Sequence, residues 1–372
     1  MRIVSDLKHK VLACASSRKF LILVLLGVLK VIVFLVCSRY LQQWPLWSNT
    51  KSRGTPLVLG PPGQPMVARG GVVVYPRAHV TPPWARDDTE NLCPVMPPRL
   101  VGPLFVNTSA LAPDPNTTVA LNPGLEPGGH YHPPDCRARH RVAIIVPYRN
   151  RLQHLHALLH HLHPILRRQL LDYFILVVEM AMPTMFNRGM LLNIGAVEAV
   201  GLWDVRCFIL HDVDMLPEDD RNLYTCTDQP RHMPSAIKKG MRPLYWLPRQ
   251  PTTEAVVSLK KEHFSMVNGY SNLYFGWGAE DDDFANRLTA DGLLKVTSPS
   301  PHIGRYRMFA HGADPGNDRN PLGMRLFAKW KARQNTDGLN SLQYEVKKVE
   351  FRPGYTWMLV SVSRNDSTHH TQ

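Results

Sequence analysis

Two carboxylates stand one residue apart at the end of an apolar run in this sequence. The run FILHDVD, Phe208 to Asp214, is typical of a buried strand that ends in Asp212 and Asp214. Open α/β sheets bind ligands at the carboxyl ends of their strands, and two carboxylates there can share one Mg²⁺ or Mn²⁺ with phosphate oxygens. A bare Asp-x-Asp is most often solvated acid, but its place at a strand end favours metal-assisted chemistry on a phosphorylated substrate.

Met308 and His311 extend the set of candidate metal ligands. They follow the short basic stretch GRYR, Gly304 to Arg307. An imidazole beside a carboxylate suits Mn²⁺ better than Ca²⁺ or Mg²⁺, whereas a thioether is a soft and unexpected ligand. Taken singly, His311 is typical of a surface histidine and Met308 of a core residue.

The string GWGAEDDD, Gly276 to Asp283, is the most specific motif of the chain. Glycines on both sides of Trp277 predict a mobile loop that closes over a sugar, and the acids beside it offer a general base and acceptors for hydroxyl groups. A calcium-binding loop is the competing interpretation, but the oxygen-ligand spacing of an EF-hand is absent.

Aromatic and guanidinium side chains follow two predicted strands and would meet at the carboxyl edge of the sheet. Aromatic rings can stack on a base, and arginine can pair with ribose oxygens or phosphate. The alternative for either segment alone is a salt-bridged surface turn. The two segments are Pro147-Tyr148-Arg149-Asn150-Arg151 and Phe186-Asn187-Arg188.

Strands and helices alternate among the elements that must position these residues. This alternation predicts a parallel sheet with right-handed crossovers, hence an α/β nucleotide-binding unit in the first half. A second half, from Pro243 to about Val349, would complete the acceptor side. We expect strands in RVAIIVPYRNR from Arg141, at Tyr173 to Val178 and at Cys207 to Leu210, and helices at Leu152 to Leu171 and Gly189 to Val200.

The first of these helices carries several histidines. We interpret them as a solvated face with no metal role, because a histidine at helical spacing more often lies at the surface than binds a metal. They are His154, His156, His160, His161 and His163.

An apolar run near the amino terminus, from Phe20 to Cys37, predicts a membrane-spanning helix. Lys30 opposes insertion by roughly 2.5 to 3.5 kcal/mol, but the Leu, Ile, Val and Phe side chains outweigh it at roughly 0.3 to 0.6 kcal/mol each. Basic residues precede the run, so the positive-inside rule places the amino terminus in the cytosol. A cleaved secretory signal is the alternative, but the run is long for one and no clear cleavage site follows it.

This arrangement predicts a single-pass signal anchor whose body lies in a lumenal, oxidising compartment. Sequons at Asn107, Asn116 and Asn365 agree with that compartment. The sequence leaves open whether the stem and the anchor form a homodimer. The predicted segments are a cytosolic tail at 1–19, the anchor at 20–37, a Pro- and Gly-rich stem at 38–97, a lumenal catalytic domain at 98–363 and a disordered tail at 364–372.

The lumenal cysteines are Cys93, Cys136, Cys207 and Cys226, which allow three pairings. A bridge between Cys207 and Cys226 would brace the loop that carries the acidic pair, and one between Cys93 and Cys136 would join the end of the stem to the first core strand. The alternative is a set of free buried thiols, which an oxidising compartment disfavours.

A net charge of +13 raises the question of nucleic-acid binding. The basic residues are dispersed, however, and no aromatic-interleaved basic module is present. The charge therefore favours an anionic ligand such as a nucleotide diphosphate, or an anionic surface, and not nucleic acid.

The ordered motifs resemble the β-1,4-galactosyltransferase family, Golgi type II enzymes with a GT-A fold. The similarity runs from about Cys93 to Glu350 and includes VAIIVPYRNR, LHPILRRQLLDY, FNRGMLLNIG, HDVDMLP, QPRH, GWGAEDDD, RYRMFAH and DGLNSLQYEV. It implies a Rossmann-like nucleotide-binding half, an acceptor-binding half and the disulfides Cys93–Cys136 and Cys207–Cys226. It also implies Mn²⁺-dependent, inverting transfer of galactose from UDP-galactose to the 4-hydroxyl of a terminal β-linked GlcNAc on a glycoprotein or glycolipid.

By matching position, the resemblance also assigns roles to individual residues. Asp214, Met308 and His311 would ligate Mn²⁺. Asp281 would be the base that takes the proton of the acceptor hydroxyl, and Glu280 would engage the acceptor with it. Donor and substrate binding would fall to Pro147, Tyr148, Arg149, Arg151, Phe186, Arg188, Asp212, Val213, Trp277 and Asp282.

Three departures from the family pattern bear on specificity. The segment Thr252 to Ala255 stands where the family has an aromatic pair and two glycines and tunes donor choice, which makes UDP-GalNAc the rival donor. Ala279 replaces a loop glycine, and Gly323 and Met324 replace an Arg and a Phe that would meet the acceptor's N-acetyl group. A non-catalytic Golgi protein that binds sugar or UDP with the same fold is the other alternative, but the intact metal set and base favour catalysis.

Overall fold

The computed structural model describes residues 91–108, 112–240, 242, 244–249, 251–310, 312 and 317–362. The predicted anchor at Phe20 to Cys37 and nearly all of the predicted stem lie outside these residues, as do His311 and Asn365. Within the described ranges, no helix is both long and apolar enough to cross a membrane.

A seven-stranded mixed sheet lies at the centre of the described domain. In spatial order its strands are β5 (Arg231–His232), β7 (Val256–Lys260), β3 (Cys207–His211), β1 (Arg141–Tyr148), β2 (Asp172–Met180), β10 (Tyr355–Ser361) and β9 (Glu345–Arg352). The neighbours β3, β1, β2 and β10 pair in parallel. The continuous apolar runs of β1 and β2 are buried on both faces, as is usual in parallel sheets.

The parallel sheet predicted for the first half is correct, because β1, β2 and β3 pair in parallel, whereas strands from the second half add antiparallel pairs at both edges. Strand β7 pairs antiparallel with β3, and β9 pairs antiparallel with β10. Strands β9 and β10 are joined by a tight turn at Pro353 and Gly354, and a turn of that length can join only antiparallel strands. The predicted strands and helices are all present, with bounds that differ by a few residues.

A second, three-stranded sheet follows the acidic pair in the chain. It consists of β4 (Met215–Pro217), β8 (Arg305–Met308) and β6 (Ala236–Lys239), in that spatial order. The helices are α1 (Pro115–Ala120), α2 (Leu152–Arg168), α3 (Arg188–Leu202), α4 (Lys261–Met266), α5 (Glu280–Thr289), α6 (Gly323–Ala328) and α7 (Trp330–Arg333), followed by a 3₁₀ turn at Leu339–Ser341.

Helices α2 and α3 contribute to two separate cores because side chains along a strand alternate between its faces. Ile144 of β1 belongs to the same buried cluster as Leu158 of α2, whereas Ile145 belongs to the cluster that contains Leu191 of α3. Helix α3 approaches the sheet closely at Gly195, where a Cβ atom would lie 2.3 Å from Cγ2 of Ile145. The two cores hold the carboxyl ends of β1 and β3 in fixed positions.

The interpretation of the α2 histidines as a solvated face is wrong for His163 and His161. His163 is fully buried between the hydroxyl of Tyr173, at 2.9 Å, and the carbonyl of Gly354, at 2.8 Å. Burial lowers the pKa of His163 to about 4, so its ring is neutral and makes both hydrogen bonds. Nε2 of His161 lies 2.6 Å from the carbonyl of Pro217.

A buried network of ion pairs holds helix α5 against the rest of the domain. Arg287 is 1% exposed, and its Nε donates to Oδ1 of Asp283 at 2.5 Å. Its Nη1 donates to the carbonyl of Asp337 at 2.7 Å. The second oxygen of Asp283 accepts from the hydroxyl of Tyr274 at 2.8 Å and from Nη2 of Arg333 at 3.3 Å. The orientation of α5 therefore depends on a carboxylate that points away from solvent.

Asp283→Asn should lower the free energy of unfolding by about 3–5 kcal/mol, because it leaves Arg287 buried without the charge of its closest partner. Urea denaturation of the full chain, followed by tryptophan fluorescence, measures the loss. Asp291→Asn, at an exposed position just beyond α5, is the matched control and should cost less than about 0.5 kcal/mol. Equal losses in the two variants would contradict the role of the network.

Candidate active site

A cavity of about 870 Å³ opens at the carboxyl ends of β1 and β3. It brings together residues from both halves of the chain, as a ligand site at the edge of an α/β sheet requires. The residues that were predicted for the site and line this cavity are Pro147, Arg149, Arg151, Phe186, Arg188, Asp212, Val213, Asp214, Trp277, Glu280, Asp281 and Met308.

Two predicted site residues do not line the cavity, and a third is not among the described residues. Tyr148 alternates with Pro147 and Arg149 along the chain, so its side chain turns inward and belongs to a buried core cluster. Asp282 is exposed and does not line the cavity. His311 lies outside the described residues. The proposed roles of these three residues stay predictions.

Arg188, the first residue of α3, sits among the acids of the site. Its Nε donates to Oδ1 of Asp212 at 2.7 Å, and its Nη1 lies 3.9 Å from Oε1 of Glu280. Among the described residues, Nη1 and Nη2 of Arg188 and Oε2 of Glu280 are buried without a hydrogen-bond partner. Asn187 caps α3 by accepting from the backbone N–H of Met190 at 2.9 Å. This cap fixes where the helix begins and therefore where Arg188 lies. The site thus holds unpaired donors and acceptors for a polar ligand.

Burial shifts the protonation of the two acids that face Arg188. Burial raises the pKa of Asp212 to about 6, against the opposing charge of Arg188, and Asp214 adds to the rise. Burial and the charge of Asp281 likewise raise the pKa of Glu280 to about 7. Both acids therefore titrate close to neutral pH. A bound cation would lower both pKa values.

The residues predicted to hold a metal lie next to one another through the second sheet. Strand β8 pairs with β4 so that Met308 is the partner of Met215, and the N–H of Phe309 donates to the carbonyl of Asp214 at 2.9 Å. Asp214 is 5% exposed, and its Oδ2 lies 3.5 Å from Nη1 of Arg151. A buried carboxylate and a thioether that line the same cavity fit a divalent cation.

Arg149 and Phe186 form the part of the cavity that suits a nucleotide. The guanidinium of Arg149 lies 5.4 Å from the centre of the Phe186 ring, and its Nη2 donates to the carbonyl of Thr184 at 2.7 Å. Its Nε and Nη1 are buried without a hydrogen-bond partner in the described part of the chain. An aromatic face beside unpaired guanidinium donors can bind a base, a ribose or a phosphate.

The segment Thr252 to Ala255 connects the two acidic motifs. The carbonyl of Ala255 accepts from the N–H of Asp212 at 2.9 Å, and Oγ1 of Thr253 donates to the carbonyl of Asp281 at 2.6 Å. Ala255 has φ of 61°, a conformation that glycine adopts without strain. The departure from the family pattern therefore lies directly beside the acids that would do the chemistry.

Glu254 is a site residue that the sequence did not identify as one. It lines the cavity, and burial together with the charges of Asp281 and Asp212 raises its pKa to about 7. The only indication in the sequence was that Glu254 stands where the family pattern has a glycine. Tyr245 and Trp246 also line the cavity and were not predicted. They follow Lys239 in the sequence, and this combination of aromatic and basic residues resembles that of the two segments predicted to bind the nucleotide.

The acids of the GWGAEDDD string begin a helix, shortly after the glycines that flank Trp277. Glu280 and Asp281 form the first turn of α5, where the N-terminal end of a helix stabilises negative charge. Ala279 precedes them with φ of 75°. The loop before Ala279 is hydrogen-bonded to the segment around Asp318, because the carbonyl of Asp318 accepts from the N–H of Trp277 at 2.9 Å. The Trp277 side chain is 64% exposed at the mouth of the cavity.

Comparison with known proteins identifies the family. Residues 93–227 match the model for the N-terminal region of glycosyl transferase group 7, and residues 245–312 match that for the N-terminal domain of galactosyltransferase. The chain is 42% identical over 294 residues to β-1,4-galactosyltransferase 2 of Cricetulus griseus, which covers 78% of this chain and 75% of that protein. The chain belongs to the β-1,4-galactosyltransferase family.

Other relatives and solved structures agree with this assignment. The chain is 44% identical to mouse β-1,4-galactosyltransferase 1 over 270 residues, which is 73% of this chain and 66% of the relative's own length. The catalytic domain of Drosophila β1,4-galactosyltransferase 7, in complex with xylobiose, shares the fold with a TM-score of 0.52 at 26% identity, over 61% of this chain and 96% of that one. A mutant of the fly enzyme, in complex with manganese, UDP-Gal and xylobiose, has a TM-score of 0.51 at 24% identity, over 61% of this chain and 96% of that one.

The structure and its similarity to a solved family member confirm two expectations. The described domain has a GT-A-like mixed α/β glycosyltransferase fold. The cysteines form the bridges Cys93–Cys136 and Cys207–Cys226 that the resemblance implied.

The raised pKa of Glu254 predicts how the stability of the metal-free protein depends on pH. Between about 4.5 and about 7 the folded state keeps a proton that the unfolded state releases, so stability falls as pH rises through this range. Glu254→Gln removes this loss. In chelator, the variant should match the wild type near pH 4.5 and exceed it by about 1–2 kcal/mol at pH 8, after allowance for partial solvent exposure. Urea unfolding at both pH values tests this, and a difference that does not change with pH would contradict it.

Proposed function

We propose that this chain transfers galactose from UDP-galactose to the 4-hydroxyl of a terminal β-linked GlcNAc, with Mn²⁺ and with inversion. The observation that carries the proposal is the meeting of Asp212, Asp214 and Asp281 in one cavity of a β-1,4-galactosyltransferase family member. The acceptor would be a glycan on a glycoprotein or glycolipid.

Asp214, Met308 and His311 would hold Mn²⁺, which would balance the negative charge of the departing UDP. Arg149 and Phe186 would bind the nucleotide, with the unpaired nitrogens of Arg149 aimed at its polar groups. Asp214 and Met308, which would hold the metal, line the same cavity as the proposed base Asp281.

Asp281 would take the proton from the acceptor hydroxyl while that oxygen attacks the anomeric carbon and UDP departs. Such a single displacement inverts the anomeric carbon and needs one base and no protein nucleophile. The position of Asp281 is fixed by Thr253, which donates to its carbonyl, and by the buried side of α5. Unpaired atoms of Arg188 and Glu280 would bind hydroxyl groups of the sugars.

The first experiment measures sugar transfer by the full-length chain in detergent to a β-GlcNAc acceptor, with Mn²⁺ and with chelator. Transfer from UDP-Gal that stops in chelator supports the proposal. Transfer from UDP-GalNAc alone would reassign the donor. Mn²⁺-dependent UDP binding without transfer of either sugar would favour a non-catalytic sugar- or UDP-binding protein.

Asp281→Asn should lower kcat by about 10²–10⁴-fold, the usual contribution of a positioned general base, and should leave UDP binding unchanged. Steady-state kinetics and calorimetric titration with UDP measure the two effects. Asp291→Asn, which is exposed and lies outside the cavity, is the control. Full turnover in the Asp281 variant would show that another group takes the proton.

UDP-GalNAc is the second candidate donor, and Glu254 is the observation that favours it. The amide N–H of an N-acetyl group can donate to a carboxylate in the cavity, and the N-acetyl group needs more room than the 2-hydroxyl that galactose carries at that position. The small Thr252 side chain, in place of an aromatic residue, agrees with a larger donor sugar.

If Glu254 accepts from the N-acetyl amide of GalNAc and not from the 2-hydroxyl of galactose, Glu254→Gly should lower kcat/KM for UDP-GalNAc relative to UDP-Gal by about 10–100-fold, because a hydrogen bond to a charged group contributes about 1.5–3 kcal/mol. The ratio is measured with both donors competing in one reaction. An unchanged ratio would exclude Glu254 from donor selection.

The segment layout and the location also belong to the proposal. We place the described domain in the Golgi lumen, behind a type II anchor at 20–37 and a stem at 38–97. Two disulfides and the exposed sequon residues Asn107 and Asn116 support an oxidising compartment where glycans are attached.

A further inference from the structure

A second group of metal-binding side chains lies outside the catalytic cavity. Glu126, His130 and His132 each place one possible ligand atom within 4.8 Å of the others. Nδ1 of His130 lies 3.1 Å from Oε2 of Glu126, and Nδ1 of His132 lies 3.5 Å from Oε1 of Glu126. Ligands of a tetrahedral zinc ion, each about 2.0–2.1 Å from the metal, lie roughly 3.3 Å apart. The two separations bracket that value.

The cluster lies at the amino-terminal end of strand β2, whereas the candidate active site lies at the opposite, carboxyl-terminal ends of β1 and β3. His130 contacts Asp172, the first residue of β2, at 2.9 Å. No residue of the cluster lines that cavity. A ligand bound here therefore serves a purpose other than sugar transfer.

The backbone of the segment is held in place without any bound ligand. The N–H of Glu126 donates to the carbonyl of His130 at 2.8 Å, which closes the turn between them. Tyr131 exchanges two hydrogen bonds of 2.9 Å with Tyr173 of β2, and its ring packs in the core. Because side chains alternate along extended chain, His130 and His132 project from the side opposite to Tyr131.

His130 already has the surroundings of a metal-ligating histidine. It is 4% exposed and stacks on Trp203 with 4.2 Å between ring centres. Its Nε2 faces Oδ1 of Asp172, and Arg141 lies 3.5 Å from the other oxygen of that carboxylate. A carboxylate that accepts from one ring nitrogen orients the other nitrogen toward a metal, and this pairing is frequent around zinc.

Both ring nitrogens of His130 face carboxylates, Nδ1 toward Glu126 and Nε2 toward Asp172. A neutral imidazole has one N–H and can donate to only one of the two acids. A proton between Nδ1 and Glu126 satisfies the arrangement, and a metal ion can take the place of that proton.

We propose that Glu126, His130 and His132 bind one Zn²⁺ ion that links the segment 126–132 to strand β2. Two imidazoles and one carboxylate suit Zn²⁺ better than Ca²⁺ or Mg²⁺, which prefer oxygen ligands alone. Side chains of Glu126 and His132 are 46% and 44% exposed, so water can complete a tetrahedral shell. The site is structural, and it strengthens the chain close to the Cys93–Cys136 bridge.

The proposal is tested by measuring zinc binding to the full-length chain in detergent. The protein is first stripped of metal with chelator and then dialysed. Titration calorimetry with Zn²⁺ alone counts the sites in the wild type, His132→Ala and Glu126→Gln. Because the catalytic cavity also attracts divalent ions, the informative quantity is the difference in stoichiometry. We expect His132→Ala to lose one equivalent and Glu126→Gln to bind that equivalent at least tenfold more weakly.

His302→Ala, at an exposed histidine outside the cluster, is the matched control and should keep the wild-type stoichiometry. Zn²⁺ should also raise the unfolding midpoint of the wild type and of His302→Ala by several degrees more than that of His132→Ala. Equal stoichiometry and equal shifts in His132→Ala and the wild type would overturn the proposal, as would a wild type that binds no zinc at micromolar concentration.

Discussion

The bond between Arg188 and Asp212, at 2.7 Å, is the contact on which the organisation of the active site depends. Acids from three separate parts of the chain converge at this edge of the sheet, and burial raises the pKa of Asp212, Glu254 and Glu280. Arg188, placed by the cap at the start of α3, opposes that rise at Asp212. Five acidic and five basic side chains line the cavity together, which suits a divalent cation and a polyphosphate bound as a pair, because each compensates for the charge of the other. The chemistry of the site follows from this meeting of opposite charges.

The acids of the GWGAEDDD string show how one local sequence serves two purposes. Because α5 turns by 100° per residue, Asp281 and Asp283 point in nearly opposite directions. Asp281 lines the cavity, whereas Asp283 is buried against Arg287. The charge on the inner side fixes the helix, and the fixed helix presents the charge on the outer side. A loop with the same composition would hold neither residue in a defined direction.

The sequence predicts the centre of this fold well because its signals are local. Continuous apolar runs identify β1 and β2, and helical spacing of leucines identifies α2. The antiparallel edges and the three-stranded sheet depend on strands of two to eight residues, whose pairing is decided by distant contacts. His163 illustrates the same limit, because only Tyr173 and Gly354, far apart in sequence, make its burial acceptable. At the site, the acids and arginines were predictable from type and spacing, whereas Glu254 had no local pattern that marked it.

The hydrogen bond from Thr253 to the carbonyl of Asp281 joins the segment proposed to select the donor to the residue proposed to activate the acceptor. The same segment reaches Asp212 through the carbonyl of Ala255. A substitution that reshapes one sugar subsite is therefore transmitted to the other through covalent backbone and two hydrogen bonds. During divergence of the family, preference for a new donor could not change here in isolation, and successive substitutions in this segment would be epistatic with those around the base.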